Sequence, residues 1–175
     1  SILTNNNTLS ITADDFDLQG TLNAGLSDIT VFVSDNGTIG LGNTAGDMTI
    51  DGSELQNITA TNLILGSTTN GNVTVDGISA ANSDNIGTVT LASGGNIDFS
   101  NNDSVFNALN IHAVTDINVN TNLETDTGNF AAIADFENNT IGDFNLGTGT
   151  TVTSAVDIDI TAENVNLNGN LTAGG

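Results

Sequence analysis

The chain contains no lysine and no arginine, and it also lacks cysteine, proline, tryptophan and tyrosine. Its only base besides the amino terminus is His112. Each absence excludes something. A protein without cationic side chains cannot neutralise phosphates, so nucleic-acid binding is excluded, and an anionic membrane surface repels it. Without cysteine there is no disulfide framework, and stability must come from burial and backbone pairing. That rules out the small stapled class of secreted domain but not an extracellular protein. No apolar run approaches the roughly 20 residues that span a bilayer, so no membrane insertion is expected. No positive segment followed by an apolar one opens the sequence, so no export signal is expected within it.

What is present is acid, amide and glycine. The 175 residues include 21 Asp and Glu, 20 Gly and 28 Asn, with a formal net charge of −21. Such a charge marks disorder only where hydrophobicity is low. Here 37% of residues are hydrophobic, mostly Ile, Leu, Val and Ala, and they alternate with polar ones. That combination predicts a folded chain with a narrow core.

The alternation has period two, the mark of half-buried strands. It runs through Leu9/Ile11/Ala13, Ile29/Val31/Val33, Val73/Val75, Leu109/Ile111 and Val156/Ile158/Ile160. Most runs are three to five residues long, and Gly, Asn, Asp and Ser fill the intervals, as turns with positive φ require. Nowhere do apolar residues recur at helical spacing over three turns. Only Ser79–Asn82 and Phe130–Phe136 have weak helical character.

The sequence also repeats itself. Ile11–Gly25 reads ITADDFDLQGTLNAG and Ile160–Gly174 reads ITAENVNLNGNLTAG, with eight of fifteen positions identical. Looser copies begin at Ile58 and Ile111, and Met48–Gly52 is echoed by Val73–Gly77, 25 residues later. A near-regular period is the signature of a repeat architecture. Short strands of this kind also suit a sandwich or closed barrel. End-to-end repetition favours an all-β fold, a parallel β-helix or β-solenoid of about seven coils, two per recurring unit. At about 4.8 Å per coil this is a rod on the order of 35 Å long. Residues 1–175 are read as a single solenoid segment with no domain boundary, about one super-repeat of a longer repetitive chain. Amides spaced by two, such as Asn118/Asn120/Asn122 and Asn164/Asn166/Asn168/Asn170, are placed to stack along the rod as in cross-β ladders.

Three stretches carry a resemblance: ITADDFDLQGTLNAG (11–25), VTVDGISAANSDNIGTVTLASGGNIDF (73–99) and ITAENVNLNGNLTAGG (160–175). They resemble the β-strand repeats of giant bacterial surface proteins of the filamentous-haemagglutinin-like adhesin class, over essentially the whole chain. The resemblance implies a right-handed parallel β-helix, secreted or held at the cell surface. The total absence of Lys and Arg departs from that family's usual composition.

Candidate chemistry is sparse. Asp14, Asp15 and Asp17 form the densest acidic cluster, and Asp157 with Asp159 forms another. Paired carboxylates suit glycosidic general acid–base work, but the first cluster partly follows the repeat (Glu163, Asn164 and Asn166 in the last copy), so no catalytic residue is assigned and no enzyme is expected. Gly94-Gly95-Asn96-Ile97-Asp98 starts like a Ca²⁺-binding nonapeptide but has Ile97 where Gly is needed. No cofactor or metal ligand set is assigned, and only loosely bound Ca²⁺ is expected on so acidic a surface. His112 takes the place of Thr12, Thr59 and Thr161 in the other copies, as an outward strand residue. Phe16 aligns with Leu63 and Val165 as core. The Thr pairs Thr59/Thr61, Thr88/Thr90 and Thr148/Thr150 do not recur coil by coil, which a flat ice-binding face requires. The Asn57 and Asn170 sequons are ordinary in an Asn/Thr-rich chain.

The leading expectation is a structural module of an extracellular filament, stalk or matrix. Neither end shows a capping helix or a charged cap, so the expected partners are other copies or neighbouring repeats. The alternative is an adhesin segment that binds carbohydrate or a host surface through one face.

Overall fold

The computed structural model describes residues 1–138 and 140–174. It is a parallel β-solenoid built from three sheets, and every strand pair in them is parallel. The nine-stranded sheet contains β1 (Ile2–Leu3), β2 (Leu9–Ala13), β3 (Leu22–Asn23), β4 (Ile29–Val33), β7 (Ile58–Gly66), β9 (Ile86–Ser93), β12 (Leu109–Ala113), β15 (Phe130–Ile133) and β18 (Ile158–Thr161). The seven-stranded sheet runs β6 (Met48–Ile50), β5 (Ile39–Gly42), β8 (Val73–Asp76), β10 (Ile97–Phe99), β13 (Ile117–Val119), β16 (Asp143–Leu146) and β19 (Asn164–Leu167). The four-stranded sheet is β11 (Ser104–Phe106), β14 (Leu123–Thr125), β17 (Thr151–Ser154) and β20 (Asn170–Ala173).

Alternation explains the core. One column of the largest sheet reads Ile11, Val31, Leu65, Leu91, Ile111, Ala132, Ile160, one residue from each of seven windings. Its members from Val31 to Ala132 are buried, and Ile11 and Ile160 at the two ends are half-buried. Their sequence neighbours point outward, so a one-residue slip would expose the whole column. Phe99, Phe106, Phe130 and Phe144 fill the interior, and the Phe130 and Phe144 rings meet edge to face at 6.3 Å.

The column corrects the expected repeat in one place. Ile11, Ile111 and Ile160 stack as anticipated, but Ile58 does not join them. It pairs with Leu22, and Leu65 holds the matching position. The strand β7 is long enough to serve two ladders: Ile58 and Thr59 extend β1–β3, while Leu63–Leu65 extend β2–β4. Windings are also unequal, with 20 residues from Ile11 to Val31 and 34 from Val31 to Leu65.

The long winding holds an insertion. β5 and β6 are consecutive and parallel, with Ile39 beside Met48, while β8 takes the other edge of β5. The two echoed stretches therefore flank β5 and lie two strands apart, not one. After β6 comes a short helix, α1 (Gly52–Gln56), capped by Asp51, whose carboxylate accepts from Ser53 and Glu54 N–H while Glu54 reaches back to the Asp51 N–H. After β8 comes α2 (Ala80–Ser83), with Ser79 and Asn82 as a similar box. The Asn82 amide donates to the Gly52 carbonyl at 2.9 Å, so the helices stack like the strands do. Of the two stretches with helical character, Ser79–Asn82 overlaps α2, while Phe130–Phe136 begins as strand β15.

Glycine is required where strands leave their sheet. Gly42 (φ +90) and Gly66 (φ +85) sit against the Asp76 and Ala92 carbonyl oxygens of the next winding, which a Cβ would strike.

Candidate functional site: polar ladders and an open end

A chain without Lys or Arg must satisfy its carboxylates by other means. It uses amides, hydroxyls and backbone N–H groups, largely from the neighbouring winding. On the outer face of the seven-stranded sheet, Asn118 Nδ2 donates to Asp98 Oδ1 at 2.7 Å. Asn145 Nδ2 donates to Asn118 Oδ1 at 2.9 Å, and Asn166 Nδ2 to Asn145 Oδ1 at 2.8 Å. These four residues occupy one register column. Every bond points the same way, donor on the later winding and acceptor on the earlier one. A neutral carboxamide supplies both groups, which is why asparagine extends the ladder and aspartate begins it.

A second column precedes the strands of the same sheet. The Thr38 N–H donates to Asp47, the Asn96 N–H to Asn72, the Asp116 N–H to Asn96 and the Asp143 N–H to Asp116, at 2.9 to 3.2 Å. Near the four-stranded sheet Asp103 accepts from the Thr121 hydroxyl and from the Asn122 side chain and N–H. Asp76 is only 4% exposed and accepts from Asn101 Nδ2 and from the Asn102 amide and N–H. Among the described residues no buried side-chain polar atom lacks a partner.

These contacts set the acidities. Hydrogen bonds from the Thr38 backbone and hydroxyl hold the Asp47 carboxyl below its usual range. The Thr121 hydroxyl and the Asn122 amide do the same for Asp103. Burial pushes Asp76 up, but its three hydrogen bonds from Asn102 and Asn101 outweigh burial and leave it lowered.

The acidic clusters do not converge. Asp14 accepts from the Ser34 hydroxyl, Asp15 from the Thr49 N–H at 3.0 Å, and Asp17 from the Gln19 amide. Asp15 and Asp17 line an open groove of about 440 Å³ between residues 15–19 and the β6–α1 segment, together with Phe16, Leu18, Asp51 and Glu54. Among the described residues no three His, Asp or Glu side chains are grouped to hold a metal ion. Asp159 is exposed on β18, and Ile97 of the calcium-like stretch is core while Asp98 begins the amide ladder.

His112 lies on the outer face of β12, between Ala92 and Ile133. Its ring stacks on Phe136 at 4.8 Å and 25°, and burial lowers its pKa. Phe136 is 43% exposed. Phe16 packs against the core as its alignment suggests, whereas Phe32 is half-buried on an outward column beside Thr12. Thr88 pairs with Asn62, and Thr90 with Ile64 and Asn110, so the threonines form no continuous face.

The two ends of the rod differ. At the C-terminal end β18, β19 and β20 are each four residues long, and the inward side chains Val165, Leu167 and Leu171 are 45%, 49% and 36% exposed. At the N-terminal end residues 14–18 form no strand. They lie along β6, held by Asp15 on the Thr49 N–H and by the Leu18 N–H on Glu54 Oε1 at 2.7 Å. This end therefore does carry an acidic edge, contrary to the expectation of two plain ends. Sequence reading missed α1 and this edge. The capping-box spacing Asp51…Glu54 was the available signal for the helix.

Compared with known protein families, with curated proteins and with solved structures, the chain matches none.

Proposed function

We propose that this chain is a structural module, a rod segment of an extracellular stalk, filament or matrix that joins other windings through its ends. The observation that carries this reading is the open C-terminal layer. Every inner winding is covered on both sides, yet the last presents Val165, Leu167 and Leu171 beside three unpaired strand edges. Unpaired edges of this kind invite further strands. Satisfied polar ladders along the sides leave the flanks hydrophilic, and the −21 charge keeps rods laterally apart. The resemblance to adhesin-class repeats supports a cell-surface location, where divalent cations would bind loosely and screen neighbouring rods.

A second reading, an adhesin segment that binds carbohydrate through one face, draws on Phe136 stacked upon His112. Electron microscopy of the purified protein with and without a chelator, beside a glycan-binding screen, separates the two. Rods joined at their ends support the module; dispersed monomers that bind a glycan through Phe136 replace it with the adhesin.

A further inference from the structure

We infer that Asn36 is a site of self-modification: its carboxamide cyclises onto the Gly37 backbone nitrogen and hydrolyses to aspartate and isoaspartate, with water as the co-reactant. The change loosens the corner that the next winding rests on.

The chain has three Asn–Gly steps, at 36–37, 70–71 and 168–169. Glycine favours the reaction because no Cβ keeps its nitrogen from the preceding side chain. The first two steps lie one upon the other, yet the fold treats them oppositely. Asn70 is 4% exposed. Its Oδ1 accepts from the Ser67 N–H, and its Nδ2 donates to the Gly71 carbonyl at 2.7 Å. The Gly71 N–H is tied as well, to the Asn36 and Gly37 carbonyls at 2.9 and 3.0 Å. Bringing that side chain onto that nitrogen would break all of these bonds where water does not reach. Asn36 is exposed, and no described residue bonds its side chain. The Gly37 N–H donates to the Ser34 carbonyl at 3.0 Å, but within a turn whose residues Asp35 and Asn36 are both exposed, so water replaces that bond when the turn opens.

Packing keeps the labile pair in place. Asn36 has φ +57, a conformation that asparagine and glycine adopt more readily than other residues. A Cβ on Gly37 would come within 2.8 Å of Val33 Cγ2 and 3.0 Å of Asp47 Cβ. The corner therefore demands glycine at 37 and admits asparagine at 36, the combination most open to cyclisation.

The step balances without a redox partner. The Gly37 nitrogen forms a bond to Asn36 Cγ, the Cγ–Nδ2 bond breaks, and Nδ2 leaves as ammonia with the former Gly37 amide proton. Water then opens the imide ring. Attack at Cγ gives aspartate; attack at the backbone carbonyl carbon gives isoaspartate, whose chain runs on through Cβ and Cγ. The added methylene displaces Gly37, and the former Asn36 carbonyl becomes a free carboxylate. Both acceptors of the Gly71 N–H thus move, just ahead of β8. The new charge joins Asp14, Asp35 and Asp47, which line an open groove of about 380 Å³ with Gly37.

The test ages the whole chain at mildly alkaline pH, native and in urea. Peptides cut at Asp and Glu are then mapped by mass spectrometry, since there is no Lys or Arg for trypsin. In the native protein Asn36 should deamidate at least several-fold faster than Asn70, chiefly to isoaspartate; in urea the two should react alike. The aged protein should melt lower than fresh protein and lower than fresh Asn36→Asp, which carries the charge without the longer backbone. Asn36→Gly accepts the positive φ and cannot cyclise, so its melting temperature should hold through ageing. Equal native rates at Asn36 and Asn70, or an Asn36 that reacts only in urea, overturn the inference. An equal loss of stability in aged Asn36→Gly overturns the loosening of the corner.

Discussion

Asn145 sits one winding beyond Asn118 and donates its Nδ2 to the Asn118 Oδ1 at 2.9 Å. Asn118 in turn donates to Asp98 at 2.7 Å. One residue thus closes two inter-winding contacts on the outside of the rod. Asn118→Ala should lower stability by about 1 kcal/mol, since the site is partly exposed and water replaces some of the loss. Asn118→Asp should cost more, because it sets a second carboxylate beside Asp98. Urea unfolding of the two variants checks the order. Equal stabilities would remove the ladder from the account.

Phe144 is fully buried and meets Phe130 edge to face, whereas Val165 directly beside it in register is 45% exposed. Phe144→Ala should cost about 3–5 kcal/mol. Val165→Ala should cost less than about 1 kcal/mol in the monomer, because that side chain buries much less surface. Thermal unfolding at low protein concentration and low salt compares them without contribution from association.

Asp76 gives the clearest pH prediction. Its folded carboxyl titrates below the unfolded value of about 3.9. A depressed acid contributes stability that is complete above the unfolded pKa and is lost as pH falls through the folded one. Stability from this residue should therefore be flat from neutral pH to about pH 4 and decline below it. Asp76→Asn should be less stable by about 1–3 kcal/mol at pH 7, since three donors lose a charged acceptor, and its curve should lack that acid decline. Parallel curves for the two proteins below pH 4 would contradict the assignment.

Charge predicts a monotonic salt response. With 21 acids and no Lys or Arg, nearly all long-range pairs repel. Raising ionic strength from about 0.01 M to about 1 M shortens the screening length from about 30 Å to about 3 Å. The melting temperature should rise throughout. A fall with salt would mean that attractive ion pairs outweigh repulsion, which the composition forbids.

How much of this was legible in the sequence depends on which force placed each residue. The core columns follow from period two, because burial of Ile11, Val31, Leu91 and Ile111 leaves no other register. Stacked asparagines at 118, 145 and 166 were foreseeable as a type, but only 118 and 166 stood in the evenly spaced runs. The mis-set repeat at Ile58 arose because ITA recurs there by similarity, while tertiary pairing with Leu22 decides its place. The tethered edge at Asp15 depends on a contact with Thr49, 34 residues away, and the β5–β6 insertion pairs Ile39 in parallel with Met48 on the next strand, an arrangement that no local alternation pattern records. Sequence also showed the acids near residue 15 as a cluster, and only the structure shows three separate partners.

The central claim is that successive windings lie one above another in parallel register, and a distance measurement between paired spin labels tests it most directly. Ser10, Asn110 and Asp159 occupy one outward column, with Asn110 four strands and Asp159 six strands from Ser10. At about 4.8 Å per strand the backbone separations should be about 19 Å for Ser10–Asn110 and about 29 Å for Ser10–Asp159. Distances in that proportion bear out the stacked rod. A Ser10–Asp159 separation equal to or shorter than Ser10–Asn110, as a folded-back sandwich would give, contradicts it.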